Sequence, residues 1–268
     1  MNEKIRILYN VSMSTGYFFD LDGTLYSNRT HSVSNHTIEA LSKLQKKGNK
    51  VFLATSRTLR ELDHLPQAMR DFPFDARIMD GGSRIMDADQ KDLRCVFLSS
   101  KTMHSIDAFC KENHLIYRYS TCSENLWGTK PSLYAHRAYF DLYLCAPSYK
   151  PYQKDKVLNV LVFLKAEDQK KLQPLLKDCG IVHFDHAMEI RANHVDKIEA
   201  IQWCKERFDL DTLFCFGDGQ NDIEMIRQAD LGICMQNGHP DLKKVADLVI
   251  GDVNEDGIYQ FLNESHRI

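Results

Sequence analysis

Two short buried runs, Tyr17–Phe19 and Leu213–Phe216, each break off into a glycine-flanked acidic turn, and each sits in a stretch where apolar strands alternate with amphipathic helices. That alternation, more than anything else in the sequence, narrows the fold. After Tyr17–Phe19, Ser34 is placed to cap a helix carrying Ile38, Leu41 and Leu44 on one face, with Gly48 at its end. Val51–Ala54 reads as a second buried strand, Thr58–Met69 as a helix, and Ala76–Met79 as a third strand closed by Gly81-Gly82. Late in the chain the pattern returns. Val195–Phe208 reads as a helix, Leu213–Phe216 as a strand, Asp222–Gln228 as a helix and Leu231–Met235 as a strand. A helix near Pro240–Ala246, a strand at Leu248–Ile250 and a terminal helix follow. Strands alternating with helices predict an α/β fold, an open parallel sheet covered on its faces.

The middle of the chain has another texture. Leu93–Leu98, Tyr139–Ala146 and Leu158–Lys165 are β-prone runs, with helical segments at Thr102–Asn113 and Asp168–Cys179. Strands in runs, with fewer helices between them, predict an inserted α+β module. The expected division is a core of residues 1–82 and 190–268 and an insertion of residues 83–189. Composition excludes several other classes. A net charge of −3 gives no basic field for nucleic acid. No apolar run approaches the roughly 18 residues of a membrane span, and the first twenty residues lack the apolar stretch of a signal peptide. The eight cysteines are scattered without a C-x-x-C pair, so no disulfide framework is expected. The expected compartment is the cytoplasm.

Asp20-Leu21-Asp22-Gly23-Thr24 follows a hydrophobic strand, so both carboxylates should emerge at its C-terminal end, the edge where open α/β sheets bind ligands. Carboxylates this close repel unless a cation neutralises them. Mg²⁺ suits a site of few carboxylates completed by a substrate phosphate. Asp-Gly also marks ordinary surface turns, but Gly217-Asp218-Gly219-Gln220-Asn221-Asp222 repeats the design after a second buried strand. Asp222 also serves as a first-turn acid for the following helix. Thr55-Ser56-Arg57 follows the second strand, where hydroxyls and helix-start N–H groups can hold phosphate, though Thr-Ser there is also a common cap. Lys197 lies near a helix start, the less favourable end for a cation, which fits an anionic partner.

Together these four segments resemble the haloacid dehalogenase-like phosphatases. Asp20-Leu21-Asp22-Gly23-Thr24 matches the family's D-x-D-G-T signature, Thr55 its second motif, Lys197 its third and Gly217–Asp222 its fourth. Thr24 and Thr55 are thirty-one positions apart, whereas Thr55 and Lys197 are 142 apart, so the insertion corresponds to the family's large second-position cap. The chain is similar to the Cof-type subfamily. The resemblance implies a Rossmann-like core, a mobile cap, Mg²⁺, and a phosphatase acting on a small phosphorylated metabolite, most often a sugar phosphate, with flavin or pyridoxal phosphates as further options. It implies Asp20 as nucleophile and metal ligand, and Asp22 as general acid–base that also lends its backbone carbonyl to the metal. Thr55, Ser56, Lys197 and Asn221 would bind phosphate, Asp218 would ligate the metal, and Asp222 would orient Lys197 or a metal-bound water. The family pattern is broken at Asp80-Gly81-Gly82, where it has N-G-[GA], and before Tyr17, where the chain is longer than usual and Met13 offers an alternative start.

Two rival readings fit the same residues: a phosphomutase of the same superfamily, and a non-catalytic phosphate sensor. A dehalogenase is disfavoured because such enzymes lack an acid equivalent to Asp22. Trp127, Tyr134, His136 and Arg137 form an aromatic and basic cluster in the insertion, placed to reach a substrate or to pack its core. His183-Phe184-Asp185-His186 has strand-like spacing and is not expected to bind metal.

Overall fold

A computed structural model describes residues 14–141, 144–184 and 186–268; the proposed Met13 start lies outside the described residues. In chain order the early elements are β1 (Thr15–Phe19), α1 (Asn35–Lys46), β2 (Lys50–Ala54), α2 (Gln67–Arg70), β3 (Ala76–Met79), β4 (Arg84–Asp87) and β5 (Asp92–Cys95). The middle holds α3 (Ser100–Glu112), β6 (Ile116–Ser120), β7 (Asn125–Trp127), α4 (Leu133–Asp141), β8 (Ser148–Tyr149), β9 (Asn159–Phe163), α5 (Ala166–Leu172), β10 (Cys179–Phe184) and β11 (Ala187–Ala192). The chain then continues through α6 (Lys197–Arg207), β12 (Thr212–Gly217), α7 (Ile223–Gln228), β13 (Leu231–Met235), α8 (Pro240–Val245), β14 (Leu248–Ile250) and α9 (Gly257–Glu264).

The first sheet runs β14-β13-β12-β1-β2-β3-β4-β5, parallel from β14 to β3 and antiparallel over its last two pairings. The β1 side chains show why it is central. Tyr17 and Phe19 enter one hydrophobic cluster and Phe18 the other, so both faces of the strand are buried. Phe18 stacks on Phe52 at 4.3 Å between ring centroids, and Phe19 on Phe216 at 4.5 Å. Each buried ring contributes on the order of 1.5–3 kcal/mol. The second sheet runs β10-β11-β9-β6-β7-β8, antiparallel except for β7–β8, over its own apolar core.

The division expected at 82 and 189 does not coincide with sheet membership. The first sheet continues through Cys95, because β4 turns back on β3, and the second keeps β11 to Ala192. Thr58–Met69 is not one helix. Thr58 and Glu61 close a capping box around a 3₁₀ turn, and Pro66 delays the next helical turn to Gln67. The expected strand at Tyr139–Ala146 is helical through Asp141, because the buried face of α4, Ala135 and Tyr139, packs on Trp127. The helix expected over Asp168–Cys179 ends at Leu172, before a 3₁₀ turn containing Pro174, and Cys179 instead opens β10. The eight cysteines are free. No helix among the described residues is long and apolar enough to cross a membrane.

Candidate active site

The strand order places β1 between β2 and β12, all parallel, so the C-terminal ends of β1 and β12 lie side by side at a switch point. Phe19 is in register with Phe216, and the Asp20 N–H donates to the Phe216 carbonyl at 2.9 Å. Asp20 therefore leaves its strand level with Gly217, immediately before Asp218. Two acidic turns nearly 200 residues apart become one site.

Lys197 sits at the centre of it. Asp196 caps α6, its carboxylate accepting the Glu199 N–H at 2.8 Å, and this sets Lys197 at the first helical position. Its Nζ donates to Asp20 Oδ1 at 2.5 Å and to Asp222 Oδ1 at 2.7 Å. All three groups are buried, Asp222 completely. The other Asp222 oxygen accepts the backbone N–H groups of Asp218 (3.2 Å) and Gly219 (3.0 Å), which ties the Gly217–Asp222 turn onto the same carboxylate. Burial works against the Lys197 cation, but Asp20 and Asp222 outweigh it and hold its pKa above the ordinary lysine value.

Carboxylate oxygens of Asp20, Asp218 and Asp222 lie within 4.8 Å of one another. Burial, then the Asp222 charge, push the Asp20 carboxyl well above its usual range, with Lys197 pulling the other way. The same first two causes push Asp218 up to about 7. Three carboxylates against one lysine leave an excess of negative charge in a low-dielectric site, and the donors are all hard oxygens. This set fits a divalent cation such as Mg²⁺. Gly23 makes room for it: at φ +78°, a Cβ here would stand 2.1 Å from Asp218 Oδ2. Thr24 Oγ1 donates to Asp218 Oδ1 at 3.4 Å.

Asp22 faces elsewhere. Its side chain is outside the carboxylate trio and is gripped by Arg57, with Nη2 at 2.6 Å from Oδ1 and Nε at 2.9 Å from Oδ2. Arg57 also donates to the Glu61 carbonyl at 3.0 Å and lies over the Tyr26 ring. The hydroxyl oxygen of buried Thr55 accepts the Arg57 N–H at 3.1 Å, leaving its own proton available. Asn221 donates to Ser56 Oγ at 3.5 Å, joining the second and fourth acidic or hydroxyl segments across the site.

A cavity of about 490 Å³ opens between the two sheets, reaching the site at Asp22, Ser56 and Asn221. Of the four cluster residues singled out in the insertion, only Tyr134 lines it. Trp127 is fully buried in the core of the second module, and His136 and Arg137 border a separate outer depression. His186 lines the cavity, His183 pairs with Gln169 at 2.6 Å, and Asp185 lies outside the described residues. Sequence reasoning missed Arg57 as the partner of Asp22, and Glu61, Arg118, Tyr139 and Glu189 as cavity residues. Only Glu61 carried a readable signal, the T-x-x-E spacing from Thr58.

The site and the inserted second sheet define a class of protein, and comparison with known proteins agrees. The description of the haloacid dehalogenase-like hydrolases matches residues 17–262, and the chain belongs to that family. YkrA of Bacillus subtilis is 25% identical over 267 residues, covering 92% of this chain and 96% of YkrA. Also similar is YitU of Bacillus subtilis, a 5-amino-6-(5-phospho-D-ribitylamino)uracil phosphatase, 23% identical, with 91% of this chain and 95% of YitU covered. Among solved structures, the subclass IIB sugar phosphatase BT4131 superposes with a TM-score of 0.86 at 25% identity, over 95% of this chain and all of that one.

Proposed function

We propose that this hydrolase is a Mg²⁺-dependent phosphatase that cleaves a small phosphorylated metabolite through an aspartyl-phosphate on Asp20. The observation that carries the reading is the buried Asp20 carboxylate at the switch point, with Lys197 at 2.5 Å and two more carboxylates beside it. In this reading one Asp20 oxygen attacks phosphorus while the bond from phosphorus to the leaving oxygen breaks, and Asp22 delivers a proton to that oxygen. Water then attacks the same phosphorus, Asp22 takes its proton, inorganic phosphate leaves and the Asp20 carboxylate is restored. Lys197, held by Asp222, carries positive charge to the transferring phosphoryl group, and Thr55, Ser56 and Asn221 hold its oxygens. Asp20 and Asp218, with the Asp22 main-chain carbonyl, would hold Mg²⁺, which would supply neutralisation of the phosphate charge. The second module acts as a cap that excludes water over the cavity and reopens for product release.

The grip of Arg57 gives Asp22 a resting position outside the carboxylate trio, from which a proton shuttle must be released when substrate arrives. The test is a pair of nearly isosteric variants. Asp20→Asn should abolish turnover of p-nitrophenyl phosphate with native circular dichroism. Asp22→Asn should still form phospho-enzyme from an activated ester but hydrolyse it about 10²–10⁴ more slowly. Normal turnover by a folded Asp20→Asn protein rules the nucleophile assignment out.

A further inference from the structure

Resting on the phosphatase reading, we infer that the leaving-group side of the cavity selects a planar aromatic or heteroaromatic ring, in preference to the polyol of a sugar phosphate. The cavity is built from α4, β6, β9, β10 and β11 of the second module together with the core residues at its mouth. Its walls are apolar: Tyr134, Leu144, Leu161, Phe163 and Phe184. Three of these five are aromatic, so a flat ring entering between them gains offset or edge-to-face contact as well as burial.

The buried polar residues of the cavity, Glu61, Arg118, Tyr139 and Glu189, do little to offset this, because their hydrogen bonds are largely spent within the protein, while exposed His186 lies outside that network. Arg118 donates through Nε to the Tyr139 hydroxyl at 3.0 Å and through Nη1 to Asn159 Oδ1 at 2.7 Å. The Tyr139 hydroxyl donates in turn to Glu61 Oε1 at 2.9 Å, which also accepts from Asn125 at 3.0 Å. The other Glu61 oxygen accepts the Thr58 N–H at 2.9 Å. Glu189 Oε1 accepts from Asn159 and, at 2.9 Å, from Arg191 Nε. Arg118, Glu61, Asn159 and Glu189 are all buried. This network ties the cap to the core and fixes the shape of the floor.

A polyol entering here exchanges hydrogen bonds to water for a wall that offers few. Each hydroxyl left without a partner lowers affinity roughly fivefold to a hundredfold. An aromatic ring has little to lose on leaving water and the apolar wall to gain. A volume of about 490 Å³ accommodates a ring system with its phosphate-bearing arm directed to Ser56 and Asn221. Tyr134 and Phe184 remain 60% and 45% exposed, which makes them wall residues replaceable without opening the cap's own core.

The experiment compares kcat/KM with Mg²⁺ for benzyl phosphate and a pyridylmethyl phosphate against a hexose phosphate and an alditol phosphate. Acetyl phosphate serves as a donor bearing neither ring nor polyol. The aryl-methyl esters should exceed the polyol esters by roughly tenfold or more, and Tyr134→Ser and Phe184→Ser should each lower the ratio of aryl-methyl to acetyl phosphate turnover several-fold. Polyol esters turned over as well as or better than aryl-methyl esters, with acetyl phosphate cleaved, overturn the ring selectivity and leave the phosphatase reading standing. Failure to cleave any of the five overturns the phosphatase reading. Selectivity is then read from calorimetric binding of benzylphosphonate against a hexose phosphonate, where tighter binding of the aryl ligand supports the inference and equal binding overturns it.

Discussion

Replacing Asp80 with asparagine should stabilise the protein above neutral pH and destabilise it modestly in acid. Asp80 is 1% exposed and holds a left-handed backbone at φ 52°. Its Oδ1 accepts the Ser120 hydroxyl at 2.6 Å, while Oδ2 has no partner among the described residues. Burial pushes the carboxyl up to about 7 from an ordinary 3.8, with the Ser120 hydrogen bond and Arg118 opposing it only in part. A folded-state pKa above the unfolded value means that the proton is bound more tightly in the folded protein. The associated stability is complete below the unfolded pKa and is lost as pH rises through the folded one. At 1.36 kcal/mol per unit the loss approaches about 4 kcal/mol as a ceiling. Asparagine does not titrate, accepts from Ser120 through its own Oδ1, and tolerates the left-handed conformation better. Its amide stands where Oδ2 lacks a partner, which costs about 1–3 kcal/mol at any pH. The net gain at about pH 8 is therefore about 1–3 kcal/mol, and the difference between the two proteins should change by about 3 kcal/mol from about pH 4 to about pH 8. Urea unfolding of both proteins across that range, with EDTA present, isolates the effect, because the titration of Asp218 is common to both and cancels. Parallel stability curves would refute a buried, proton-binding Asp80.

Exhaustive EDTA treatment should abolish turnover, and Mg²⁺ at a hundredfold excess over its dissociation constant should stabilise the protein by about 2.7 kcal/mol. That stabilisation should shrink as pH falls below about 7, because protons then compete with the cation for Asp218; full activity after EDTA, or a pH-independent shift in melting temperature, would reject the metal site. Gly23→Ala should cost about 1–2 kcal/mol for the left-handed backbone alone, and weaken Mg²⁺ binding roughly tenfold or more because the new Cβ crowds Asp218. Calorimetric titration of a folded variant at wild-type affinity would show that the cation does not use this side of Asp218.

What could be read from the sequence was the part of the site written in consecutive residues. Asp20 and Asp218 each follow a run of buried aromatics, and a strand that ends in a carboxylate carries it to the sheet edge whatever surrounds it. The spacing from Thr58 to Glu61 is equally local and forms a reciprocal cap, a signal that the reading of Thr58–Met69 as one helix did not use. Partners chosen by tertiary packing were out of reach. Arg57 finds Asp22 across 35 residues, because its guanidinium is laid over Tyr26 and against the Glu61 carbonyl. Glu61 finds Tyr139 across 78 residues, and Tyr139 lies in a segment whose aromatic content reads as strand until Trp127 supplies a helix-packing surface. Nor does periodicity reveal which sheet a strand joins. β5 has a strand's composition in either module, and only its pairing with β4 assigns it to the core. Chemistry and selectivity therefore differ in how they are encoded. The groups proposed to act on the phosphoryl centre sit in short motifs at strand ends, where local sequence fixes them. The walls proposed to meet the leaving group come from α4, β9 and β10, and they become one surface only when the second module folds. A family resemblance carried by the motifs favours sugar phosphates, while the assembled wall of Tyr134, Phe163 and Phe184 favours a ring, because the motif residues proposed to handle the phosphoryl group and the leaving oxygen contribute none of those side chains.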